Sequence, residues 1–193
     1  MAVELCSRLM DPRGFVSSGG QTVKKGMPSH PGKRDPIALA RDNWERAGWS
    51  DVADGMVAVT SVMRAHQILL ARVENALRPY DLSFSRFELL RLLAFTRNGE
   101  LPITKASDRL QVHVTSVTHA IRRLEADGLV ERLPHPTDGR TTLVRLTDLG
   151  RSTVEDATET LNTEVFADIG IPDEDSRSLA AAIEALRRHS GDF

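Results

Sequence analysis

The chain has 193 residues, 40% hydrophobic and 27% charged, which suits one ordinary domain with a full core plus a tail. No apolar run approaches the roughly 18 residues of a membrane span. The first residues lack the compact apolar core of a signal peptide, and the lone Cys6 excludes an internal disulfide framework and fits a reducing cytoplasm. The net charge of −2 is unevenly placed: Ser83 to Arg151 holds 11 Lys/Arg against 8 Asp/Glu, whereas Ser152 to Phe193 holds 3 against 10. A positive middle suits a phosphate-facing surface, with the acidic end turned away.

Residues 1–34 carry scattered Gly and Pro and no periodic pattern, and read as a disordered tail. Idle tail, or Met27 as the true start, is the plainer reading; a basic arm of Lys24, Lys25, Lys33 and Arg34 is the alternative. Asp35-Pro36 opens a short helix holding Ile37, Leu39, Ala40 and Trp44, which Gly48 breaks. A longer helix follows from about Asp51 to Arg78. Val52, Met56, Val59, Met63, His66, Leu70, Val73 and Leu77 recur along it at spacings of three and four, so one stripe faces inward. Pro79 ends it. Ser83 caps the next helix, with Phe84, Phe87, Leu90, Leu93 and Ala94 inward and Gly99 as its stop. Thr104 caps a short helix with Ala106 and Leu110. A further helix runs from about Val114 to Asp127, with Gly128 as its C-terminal stop. Leu129 to Leu133 and Thr141 to Leu146 are strand candidates around a Pro, Asp and Gly turn. Thr147 caps a helix carrying Val154, Ala157, Leu161 and Val165. Pro172-Asp173 opens a last one with Leu179, Ile183 and Leu186.

The helix from Val114 carries the chemistry. At about 100° per residue from Val114, the residues Val117, Ala120, Ile121 and Leu124 fall between about 240° and 340° and form one apolar wall with Val114. Thr115, Ser116, Thr118, His119, Arg122 and Arg123 fall between about 40° and 200°. That outer face is hydroxyl, imidazole and guanidinium, with no carboxylate before Glu125. Such side chains match the donors, acceptors and thymine methyls of the major groove, and free amides of a first helical turn favour phosphate. An ordinary amphipathic surface helix is the plain alternative, but those are richer in Glu and Lys. His113 precedes the helix. Arg132, His135, Asp138 and Arg140 flank the adjoining turn, where Asp138 can hold the Arg140 guanidinium extended for a narrow minor groove. An exposed hairpin with one weak salt bridge is the alternative there. Together they read as a winged helix-turn-helix: mainly α, with a small two- or three-stranded wing, plus helical regions at both ends.

At this point a resemblance is plain. Val114-Thr115-Ser116-Val117-Thr118, Leu124-Glu125 with Gly128-Leu129-Val130-Glu131-Arg132, the wing Asp138-Gly139-Arg140, and Leu146-Thr147 with Gly150-Arg151 resemble the MarR (multiple antibiotic resistance regulator) family, over roughly residues 50 to 190. The resemblance implies a homodimeric regulator on a pseudo-palindromic, double-stranded DNA operator, its half-sites about one turn apart. It implies dimerisation helices at 35–82 and 148–193 around a DNA-binding domain at 83–147. It also implies repression relieved by a small aromatic or lipophilic anion, bound between the dimer helices and the DNA-binding lobe.

The extra early helix with Trp44 resembles the urate-responsive branch, but Glu88 and Ala120 stand where that branch uses Asp and Arg, which disfavours urate. Trp44, Trp49, His66 and Phe87 are ligand-lining candidates, with plain core packing as the alternative. Arg64 or Arg86 could meet a carboxylate. No metal or cofactor is expected: the six histidines are scattered, and no glycine-rich phosphate loop follows a strand. Cys6, in the tail, lacks the electropositive setting of a thiol sensor. An enzyme with a winged-helix accessory region is disfavoured for want of room after the wing. A ligand-independent architectural DNA binder shares the same motif.

Overall fold

A computed structural model describes residues 34–138 and 141–193. The expected tail with Cys6, Lys24, Lys25 and Lys33, and the wing residues Gly139 and Arg140, lie outside the described residues. Asp35 accepts the Ile37 amide at 3.0 Å and opens α1 (Pro36–Arg46). Gly48, at φ +86°, turns the chain into α2 (Ser50–Leu77). Arg41 joins the two helices through Asp54 while also holding Glu45 at 2.9 Å, and these hydrogen bonds, Asp54 first, raise its already high pKa.

A 3-10 turn (Arg78–Tyr80) leads to α3 (Phe84–Ala94), capped by Ser83 as expected. The end of α3 differs from the expectation. Gly99 does not stop it; the helix finishes at Ala94, because Thr96 takes the Leu93 carbonyl with both its amide (2.9 Å) and its hydroxyl (2.7 Å). Gly99 instead admits the chain to β1 (Glu100–Pro102) at φ +69°. Pro102, not Thr104, precedes α4 (Ile103–Leu110). Then come α5 (Val114–Ala126), β2 (Val130–Pro134), β3 (Thr142–Leu146) and α6 (Asp148–Leu161). A π turn (Asn162–Phe166) separates α6 from α7 (Asp173–His189).

The sheet is antiparallel in the order β1-β3-β2, with Leu101 opposite Val144 and Val130 opposite Leu146. The third strand has no sequence signal of its own: it is three residues long and contains a proline. One core runs from Val73 to Val165, with Leu77, Leu89, Leu90, Leu93, Ile121, Leu124, Val144, Val154 and Leu161 wholly buried. Tyr80 locks α6 to this lobe, donating its hydroxyl to Asp156 O at 3.1 Å and bonding Thr160 Oγ1 at 2.7 Å.

The long stripe of α2 departs from its inward assignment. Val73, Ala76 and Leu77 enter the core, but Val52, Val59 and Met63 are exposed, together with Val62 and Ile68. The helix outruns the lobe, and only its C-terminal end packs on it. No residue of α1 or α7 is buried, and Ile183 and Leu186 face outward.

The wing and α6 meet at a backbone approach that leaves no room for a side chain. Thr147 caps α6 by accepting the Gly150 amide at 3.0 Å, while donating its hydroxyl to Gly128 O at 2.8 Å and its amide to Leu129 O at 3.1 Å. A Cβ on Gly150 would stand 2.0 Å from Leu129 O. Gly150→Ala must therefore push α6 off the wing, at about 1–3 kcal/mol or more. Urea unfolding of the two proteins measures this loss, and equal midpoints would refute the approach.

Candidate nucleic-acid interface

The face of α5 depends on the burial of its opposite side. Val117, Ile121 and Leu124 are buried, which holds the helix at one rotation, each contributing about 1.5–3 kcal/mol. Val114, at the margin of that wall, is 43% exposed. Outward stand Thr115, Ser116, His119, Arg122 and Arg123, with Thr118 half-buried. Among the described residues, the side chains of Ser116, Thr118, His119 and Arg122 make no hydrogen bond or ion pair, so their donors and acceptors are uncommitted.

The start of α5 is tightly organised. His113 is its N-cap: Nδ1 accepts the Thr115 amide at 3.2 Å and lies 3.0 Å from Thr115 Oγ1. The residue singled out for DNA therefore has a structural task as well. At the other end, Gly128 at φ +72° closes the helix, with Gly128 N on Glu125 O and Leu129 N on Leu124 O.

The wing candidates are placed less uniformly. Arg132 turns back toward α5, its Nε 3.2 Å from Glu125 Oε2 as an ion pair without a hydrogen bond, and its buried Nη2 finds no acceptor among the described residues. His135 folds onto its own turn, accepting the Thr137 amide at 3.3 Å. Asp138 accepts the Thr141 hydroxyl at 2.6 Å, so it braces the far side of the turn. Arg140 lies outside the described residues.

Two helix starts converge in an open cleft of about 640 Å³, lined by Ser83, Ser85 and Arg86 of α3 and by Thr115, Ser116, His119, Ala120 and Arg123 of α5. Asp127 is the carboxylate beside it, 3.3 Å from Arg86 Nη1 and 3.8 Å from Arg123 Nε. Hydroxyls, an imidazole and two guanidiniums at two helix N-termini make a surface suited to anions. Sequence reading has Ser83 as a cap and Arg86 as a partner for a carboxylate or a surface charge, and joins neither to α5. About thirty residues separate them from α5, and no local pattern reports a tertiary meeting.

The four ligand-lining candidates stand at different places in the fold. Trp44 and Trp49 meet edge to face, ring centroids 5.4 Å apart, beside the outer end of α2. His66 is exposed midway along α2. Phe87 is 5% exposed and stacks on Phe84 within the core. Arg64 bonds Gln67 at 3.1 Å on the surface of α2. Glu88 is exposed on α3, yet partial desolvation raises its carboxyl above the usual range.

The family model for MarR matches residues 82–142, the span from the start of α3 to the start of β3. The HTH-type transcriptional repressor IacR of Pseudomonas putida is 34% identical over 92 residues, 48% of this chain and 54% of that protein. The chain spans between 54% and 65% of the length of the curated relatives it matches. The crystal structure of Sco5413, a MarR family transcriptional regulator from Streptomyces coelicolor, aligns at 44% identity and a TM-score of 0.66, covering 72% of this chain and 97% of that one. Sco3205, another MarR family regulator of that organism, solved in complex with DNA, shares the fold at 22% identity and a TM-score of 0.62, covering 71% of this chain and 88% of that one.

If His113 caps α5, His113→Ala should cost about 1 kcal/mol of stability while His113→Asn, which can also cap, costs little. Equal losses for both in denaturant titrations would remove the capping role.

Proposed function

The chain belongs to the MarR family, and on that premise we propose that it is a sequence-specific, double-stranded DNA-binding transcriptional regulator, working as a homodimeric repressor on a pseudo-palindromic operator in the cytoplasm. The observation that carries the reading is the uncommitted face of Ser116, Thr118, His119 and Arg122, held outward by the buried wall behind it. In the groove, Thr115, Ser116, Thr118, His119 and Arg122 read base edges. Arg123, with the first-turn amides of α5, meets phosphate, and Arg140, which follows Asp138-Gly139 in the sequence, enters the minor groove. His113 orders the first turn for this task. Arg132, 3.2 Å from Glu125, braces the wing beside this face.

This reading has two measurable consequences. Binding of a labelled promoter fragment should fall with salt on a log–log slope reporting several phosphates; a flat response would sink the proposal. Arg140→Ala should weaken all duplexes alike, whereas Thr115→Ala or His119→Ala should change which sequence is preferred, by about 1–3 kcal/mol at the affected base pair.

Homodimer formation is supported by the exposed apolar residues on α2 and α7: Val52, Val59, Val62 and Met63 along one side of the first, Ile183 and Leu186 on the second. A face of this extent on helices that outrun the lobe suits a second copy. Sedimentation should show a dimer for the parent chain and a monomer for Met63→Glu/Ile183→Glu. A monomeric parent would refute the assignment.

Release by a small aromatic or lipophilic anion is the remaining part of the proposal. The cleft of Arg86, Arg123, Ser83 and Ser85 supports it, since Thr115, Ser116 and His119 line it too. An anion seated there takes side chains that DNA needs, so binding of one opposes binding of the other.

A further inference from the structure

Val114 is exposed where its angle on the helix says it should not be. It lies at the margin of the buried wall, and Val117, less than one turn later, is 2% exposed against its own 43%. The body of the lobe therefore ends beneath the first turn of α5. Val114 stands at the leading edge of the helix, with exposed His113, Thr115 and Ser116 around it. Val112 is exposed too. It precedes the N-cap, the position from which an apolar residue can pack on the fourth helical residue, here the buried Val117. Val114, at the first helical position, has no such duty.

The segment that presents it is held firmly. Buried Ser107 donates its hydroxyl to Val112 O at 2.6 Å, and the Ser107 carbonyl accepts the Val112 amide at 3.3 Å. His113 then caps the helix one residue before Val114. A β-branched side chain on a fixed backbone has few rotamers to lose, so covering it costs little entropy.

We propose that Val114 is a specificity-determining residue that packs on the 5-methyl group of a thymine in the major groove of each half-site. The inference rests on the DNA-binding reading above. Helix N-termini are the parts of recognition helices that reach base edges. The thymine methyl is the one apolar element of the major-groove code. Thr115, Ser116 and His119 answer the donors and acceptors there, and Val114 is the aliphatic side chain beside them at the front of the helix. Covering one methyl-sized group against another is worth about three- to fivefold in affinity.

The test uses the full chain and a duplex that the protein itself selects from a randomised library. Each thymine is replaced in turn by deoxyuridine, which removes the methyl and keeps every hydrogen-bonding group. The parent protein should lose about three- to fivefold at one thymine in each half-site. Val114→Ala should bind the unmodified duplex more weakly by about the same factor and be indifferent to deoxyuridine at that position. Both proteins should share one melting temperature and one salt slope, because Val114 is outside the core and carries no charge. Identical deoxyuridine profiles for parent and V114A would overturn the proposal while leaving DNA binding intact. Absence of salt-dependent binding to any duplex would instead remove the DNA-binding reading, and this proposal with it.

Discussion

Burial of Val117, Ile121 and Leu124 is the constraint from which the rest follows. An amphipathic helix can present any of its faces until one is committed to a core. These three residues commit α5 to a single rotation against α3, α4 and the sheet. Every proposed reading residue takes its direction from that choice. A helix rotated by one residue would turn Thr118 or Ser116 inward and carry Arg122 away from the groove. The capping of both ends removes the other freedom, sliding along the axis: His113 sets the start and Gly128 the finish.

The lobe keeps this helix in place through contacts that bear no relation to DNA chemistry. Gly150 lets α6 lie against the backbone of Leu129, the residue with which the chain leaves α5. Tyr80 and Leu161 tie the same helix to α2 and α3. Arg72 of α2 then donates to the carbonyls of Asp168 at 2.7 Å and Glu164 at 3.3 Å, around the π turn that precedes α7. The recognition surface and the outer helices are thus joined through packed elements of one core.

Much of this was legible in the chain. The cap residues Asp35, Ser83 and Thr147, the stop at Gly128 and the inward triplet of α5 all follow from local rules whose range is three or four residues. The errors share one cause. Thr96 ended α3 ahead of Gly99 through a hydroxyl that competes for a carbonyl, and β1 formed only because β3 was there to pair with it. The stripe on α2 is periodic along its whole length, yet periodicity does not say whether a face meets its own chain. Val114 was assigned by angle, and the end of the lobe beneath it cannot be computed from angle.

By itself the sequence determined the fold class, the boundaries of most helices and the chemical character of the face on α5, because hydrophobic period, caps and turn residues act over short spans. Tertiary structure decided which polar groups remained uncommitted. Arg132 turned to Glu125, Arg86 and Arg123 gathered at Asp127, and Arg122 and His119 stayed unpartnered among the described residues. It also decided where the core stops, leaving Val114 and the outer stripe of α2 bare. Pairing and exposure depend on residues far apart in the chain, and only packing brings those residues to one place.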